Sequence, residues 1–163
     1  MTVIALGSEF NGDDAAGLEA AREIDGAVAL GRPGASLLDW FDPEVALVIV
    51  DAVRSIPVGE LVEIPLQSLN ERASRAAASG THDLGVAQAF ELARALGRPL
   101  PRGVFVGVGG ARFAPGAPMS EAVRAAIPAL VARVTAARDA LLNASHTSNE
   151  EPPPCTNTGS SPG

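Results

Sequence analysis

The sequence contains no lysine: all 12 of its Lys+Arg residues are arginine. A Schiff-base or general-base lysine is therefore excluded, and so is a phosphate loop of the Gly-Lys-Ser/Thr type. Its single cysteine, Cys155, sits in a proline-rich stretch near the end, so neither a disulfide framework nor a cysteine metal cluster is available. No apolar run approaches the roughly 20 residues that span a bilayer. "MTVIAL" is also too short for the apolar part of a secretory signal. A soluble cytoplasmic protein with no membrane partner is expected. The net charge of -7 lacks the basic face that nucleic-acid binders use to displace counterions, so no RNA or DNA partner is expected.

What is present suits one α/β domain. At 163 residues the chain can bury a continuous core unaided. "TVIAL", "ALVIVDAV" and "GVFVGVGG" read as strands buried on both faces. "AVAL" is a weaker strand, and "ELVEIPL" alternates as an edge or antiparallel strand does. Helices are expected over residues 13–24, over a short "ASLLDWF", and over "THDLGVAQAFELARALG", with Thr81 as N-cap and Gly97 and Pro99 as stop. Residues 67–79 read as either helix or loop. A long last helix is capped at Ser120, with Pro128 marking a kink or a late start. The pattern predicts a three-layer α/β/α sandwich, a mostly parallel twisted sheet of about five strands with helices on both faces. The catalytic domain is placed at 1–143, and 144–163 is expected to be a disordered Pro/Ser/Thr-rich tail.

In such sheets ligands gather beyond the carboxyl ends of the strands. Three groups belong to that edge. Asp13 and Asp14 follow the first strand, Asp51 closes "ALVIVDAV", and His82 precedes a helix returning to the sheet. Each has an ordinary explanation: helix capping for the acid pair, bonding to loop amides for Asp51, a cap or surface position for His82. An acid at the end of a buried strand nevertheless costs several kcal/mol unless its charge is paired, hydrogen-bonded or metal-bound. Asp14, Asp51 and His82 together would make an open metal site whose mixed oxygen and nitrogen donors suit zinc or nickel better than magnesium. His146, the other histidine, falls in the expected tail and cannot complete a fixed site. "GSEFNG" matches neither G-x-G-x-x-G nor a P-loop, and adjacent acids would repel phosphate from the helix start.

The ordered set "ALGSEFNGDDAAG", "VIVDAVRS", "THDLGVAQAFELARALG" and "VFVGVGGARFAPGAPMSEAV" resembles the hydrogenase maturation endopeptidases, over roughly Val3 to Leu142. The resemblance implies an endopeptidase that trims the C-terminal extension of a nickel-iron hydrogenase large-subunit precursor. It assigns Asp14, Asp51 and His82 as both catalytic and metal-contacting residues. Nickel is then supplied by the substrate, no organic cofactor is needed, and cleavage follows nickel insertion. Asp13 becomes the helix cap, and a replaceable one. The enzyme is expected to be a monomer whose partner is that precursor. Water is activated in this reading by the metal or by an aspartate serving as general base, since no G-x-S-x-G elbow occurs. A non-catalytic metal-sensing chaperone that docks on the precursor is the alternative. A peptidyl-tRNA hydrolase on a similar sandwich is disfavoured by the acidic charge. Glu9, in the first turn, and Asp83, beside His82, depart from the family's usual residues.

Overall fold

A computed structural model describes residues 1–69 and 85–147. Its five strands are β1 (Thr2–Leu6), β2 (Val28–Gly31), β3 (Leu47–Val53), β4 (Leu61–Pro65) and β5 (Gly103–Gly109). They form one sheet in the order β2-β1-β3-β5-β4. All neighbours are parallel except β4, which runs antiparallel to β5 at the edge. The five-stranded, mostly parallel sheet expected from the sequence is thus present, and "ELVEIPL" supplies its antiparallel edge.

The apolar runs are explained by cover on both faces. Val3 and Ala5 of β1, Val48, Val50 and Ala52 of β3, and Val106 and Val108 of β5 face one layer. Helices α1 (Ala16–Ala21) and α3 (Glu121–Thr147) cover them with Leu18, Ala20, Val123, Leu130 and Val134. The alternate residues Ile4, Leu6, Leu47, Ile49 and Phe105 face the other layer. That face is covered by the 3-10 segment Gly34–Trp40 and by α2 (Gly85–Ala95). Phe41 and Phe90 meet there at 4.7 Å between ring centroids and 59° between planes, a tilted geometry suited to their quadrupoles.

Several boundaries differ from the sequence expectation. The helix expected over 13–24 is a 3-10 turn, Gly12–Ala15, followed by only six residues of α-helix, Ala16–Ala21. Pro128 lies inside a continuous α3, so it does not mark a late start. Ser120 does cap that helix, its Oγ accepting from the Val123 N–H at 3.4 Å. α3 also continues through Asn143 to Thr147, past the start expected for the tail. α2 ends at Ala95, and Gly97, the expected stop, takes a positive φ of 65° while the Arg98 N–H donates to the Ala93 carbonyl at 2.8 Å. The expected Thr81 cap, residues 70–79 of the ambiguous segment and the tail beyond Thr147 lie outside the described residues. Among the described residues no helix is long and apolar enough to cross a membrane.

The order of strands locates a crevice. From β1 the chain moves outward to β2, whereas from β3 it moves the other way toward β5. β1 and β3 are therefore the pair at which the winding reverses, where such sheets hold ligands. α1 seats directly on this junction through Gly17. A Cβ there would come within 2.5 Å of the Leu6 carbonyl oxygen and 2.8 Å of that of Val50. Gly17→Ala is expected to lower stability by about 1–3 kcal/mol, the usual cost of overpacking. A urea midpoint indistinguishable from that of the wild type would contradict this account.

Candidate functional site

The candidate site is built where β1 gives way to α1. Gly7 has φ 129°, and a Cβ on it would fall 1.8 Å from the Asp14 carbonyl oxygen, so only glycine allows the turn to fold back this tightly. The Ser8 N–H donates to that carbonyl at 3.2 Å, the Asn11 N–H to Ser8, and the Asp14 N–H to Asn11. These bonds fix the backbone that carries both acids. The two side chains then have separate surroundings.

Asp13 is completely buried. Its Oδ2 accepts from the Ala111 and Arg112 N–H groups at 2.8 and 2.9 Å, and its Oδ1 from the Ser120 N–H at 2.6 Å. Its own N–H donates to the Arg112 carbonyl at 2.7 Å. Burial pushes its pKa up, but the amides of Ser120, Ala111 and Arg112 and the Ser120 hydroxyl outweigh it and hold the carboxyl below its usual value. The expectation that Asp13 caps the adjoining helix and is replaceable is therefore corrected. Asn11 occupies the N-cap position without a side-chain cap bond, while Asp13 ties the first turn to a loop about 100 residues away. That loop is gripped at other points too. The Gly116 N–H donates to the Phe10 carbonyl at 2.7 Å, the Gly110 N–H to the Val53 carbonyl at 2.8 Å, and Arg54 stacks 3.8 Å above the Phe113 ring.

Asp14 is nearly buried too, but its partner is charged and mostly exposed. Arg32, just beyond β2, donates to Asp14 Oδ2 from Nε at 3.1 Å and also from Nη2. The carboxylate is 12% exposed and the guanidinium side chain 62%. With the Asn11 amide turned to satisfy its neighbours, its oxygen accepts from Arg32 Nη2 at 2.6 Å. Arg32 was not among the candidates read from the sequence. An arginine in a "GRPG" turn looks like an ordinary solvated charge, and only the return of β2 alongside β1 brings it to Asp14.

Asp51 lies near the carboxyl end of β3, one position beyond the Val50 that pairs with Ala5, and it is half-buried. Its Oδ1 accepts from the Ala52 N–H at 2.8 Å. The alternation of β3 puts it on the α2 side of the sheet, with Leu47 and Ile49. Asp51 thus lies on one of the two strands that flank the crevice, and Asp14 in the turn that follows the other. His82, the third candidate, lies outside the described residues, three positions before α2 in the sequence. Because α2 leads into the parallel strand β5, its first turn lies toward the carboxyl edge. Among the described residues no three His, Cys, Asp or Glu side chains form a metal-holding group. The described edge thus offers two carboxylates from the candidate set, Asp14 and Asp51.

Comparison with known proteins adds the family. A sequence model of the HycI hydrogenase maturation protease family matches residues 18–137, a span that includes Asp51 and His82 and begins after Asp14. No match is found among curated proteins. In structure the chain is similar to the NiFe hydrogenase maturation protease HybD from Thermococcus kodakarensis, with 27% identity and a TM-score of 0.63 over 83% of this chain and 97% of that one. It also shares its fold with the hydrogenase maturating endopeptidase HybD from Escherichia coli, at 22% identity and a TM-score of 0.65 over 86% and 94% of the two chains. The endopeptidase HycI from Escherichia coli has the same fold at 16% identity and a TM-score of 0.57, over 82% and 87%. With the family model matched over more than half its length, the chain belongs to the hydrogenase maturation protease family.

Proposed function

We propose that this protein is the endopeptidase that removes the C-terminal extension of a nickel-iron hydrogenase large-subunit precursor once nickel is in place. Asp14, Asp51 and His82 contact that nickel in this reading. The observation that carries it is the placement of Asp14 in the 3-10 turn between β1 and α1 and of Asp51 near the end of β3, β1 and β3 being the two strands at which the sheet reverses its winding. Membership of the protease family supports the chemistry. Two carboxylates and an imidazole do not complete a metal's coordination. A metal that arrives held by the precursor brings its remaining ligands with it. Contact with the metal then registers the precursor, and the scissile peptide lies along the same edge. A carboxylate of that edge can take the proton from the attacking water, and the nickel, as part of the substrate, polarises the groups it binds.

Co-expression with the candidate large subunit, followed by intact mass, tests this directly. The precursor is expected to lose the mass of its extension only when nickel has been supplied. Equal trimming of nickel-free and nickel-loaded precursor would defeat the checkpoint. A stable complex with an uncut precursor would favour the docking chaperone instead.

A further inference from the structure

We propose that Arg32 is a built-in competitor for the metal at Asp14, occupying the carboxylate until a substrate-borne cation displaces it. The inference rests on the reading of Asp14 as a metal contact and adds a residue that determines which metal is admitted.

Arg32 approaches Asp14 as a cation would. Both Nε and Nη2 converge on Oδ2, so one oxygen of the proposed ligand is engaged by a full positive charge. A divalent ion arriving at either oxygen of Asp14 would lie within a few ångströms of that charge, where repulsion in a partly dry site is strong. A metal and Arg32 therefore compete for Asp14.

The release path is open. Asp14 is held in the turn, but Arg32 is attached beyond β2 by a side chain that is mostly in solvent. Arg32 also lines a cavity of about 670 Å³, together with Phe10, Leu18 and Ala29. Glu9 and Arg22, paired with each other at 2.8 Å, line the same cavity, so a displaced guanidinium meets a carboxylate that it would share with Arg22. The arginine end of the pair, 62% exposed, can turn into solvent and keep its hydration.

Competition of this kind discriminates by concentration. A free ion meets Asp14 at its bulk concentration. A metal carried by a docked precursor meets it at an effective concentration set by tethering, which reaches the millimolar range. The tethered metal can displace Arg32 under conditions in which a free ion does not. Arg32 would thereby keep stray divalent ions from mimicking the loaded substrate.

Free nickel(II) chloride, titrated calorimetrically into purified full-length protein, reads this without any cleavage step. Arg32→Ala and Arg32→Gln are each expected to bind at least about tenfold more tightly than wild type, since a like charge has been removed from the ligand. Unchanged or weaker binding by both variants would overturn the proposal. Weaker binding is what a residue that merely positions the carboxylate would give. Absence of heat from wild type and both variants overturns it as well. The double variant Asp14→Asn with Arg32→Ala separates the two levels of the reading. It is expected to lose the gained affinity. Full retention of the gain would show that the metal sits elsewhere, which removes Asp14 from the proposed site and this role of Arg32 with it. If single Asp14→Asn weakens wild-type binding while Arg32→Ala gains nothing, only the role of Arg32 fails.

Discussion

Asp13→Ala is expected to destabilise the fold by about 3 kcal/mol, several times what loss of an exposed helix cap would cost. The substitution leaves three N–H groups, those of Ala111, Arg112 and Ser120, without their acceptor. A buried donor left unsatisfied costs about 1–3 kcal/mol. Ala111 and Arg112 are exposed residues, so water can recover part of two of those bonds. Ser120 is buried and its amide has the shortest bond of the three, so its loss is felt most. A simple N-cap role would give about 1 kcal/mol. Urea unfolding of wild type and variant distinguishes the two. A midpoint shift worth 1 kcal/mol or less, at unchanged slope, would contradict the tether.

The same residue gives the stability a pH dependence of defined sign. Its folded pKa lies below the usual carboxylate value, so the native state binds this proton less readily than the unfolded chain. The Asp13 contribution is thus complete above an unfolded pKa of about 3.9 and is lost as pH falls through the lower folded value. Asp13→Ala should accordingly flatten the acid limb of a stability profile. It should leave the neutral region lowered but parallel.

The legible and illegible parts of this fold differ in the range of the interactions that decide them. β3 and β5 could be read because a strand covered on both faces needs a near-continuous apolar run, which "ALVIVDAV", interrupted only by Asp51, and "VFVGV" provide. β4 could be read because its outer position demands alternation. Placing Asp14 and Asp51 at one edge needed only the order of strands and helices, which the same runs supply. The role of Asp13 was not legible. Asp followed by Asp at a helix start satisfies every local rule for capping, and nothing nearby signals that its acceptor oxygens serve residues 111, 112 and 120. Arg32 was hidden for the same reason. Its partner lies 18 positions away, and only the pairing of β2 with β1 makes them neighbours. The close seating of α1 through Gly17 was equally hidden. Helix propensity over 13–24 cannot register that this residue must lie flush against two strand carbonyls.

Asp14→Asn is expected to reduce precursor processing by at least about 100-fold, on the scale of removing a group that acts directly on the reacting centre. The shape of the side chain is kept, while the negative charge that would face the nickel is gone. Stability should change by about 1 kcal/mol or less, because asparagine keeps the shape and an acceptor oxygen for Arg32, and the arginine that loses its ion pair is 62% exposed and can be solvated. The neighbouring acids are therefore expected to separate cleanly: Asp13→Ala lowers the urea midpoint, whereas Asp14→Asn lowers cleavage with the midpoint nearly intact. The comparison is informative because both changes fall in one 3-10 turn. A general loosening of that turn would lower both readouts in both variants. Time courses of extension loss by intact mass, with nickel-loaded precursor in excess, supply the rate, and urea curves supply the midpoint. Wild-type cleavage by Asp14→Asn would remove Asp14 from the site, whatever the behaviour of Asp13. Loss of cleavage together with a midpoint drop like that of Asp13→Ala would reduce Asp14 to a structural role, its ion pair with Arg32 serving only to fasten β2 to the turn.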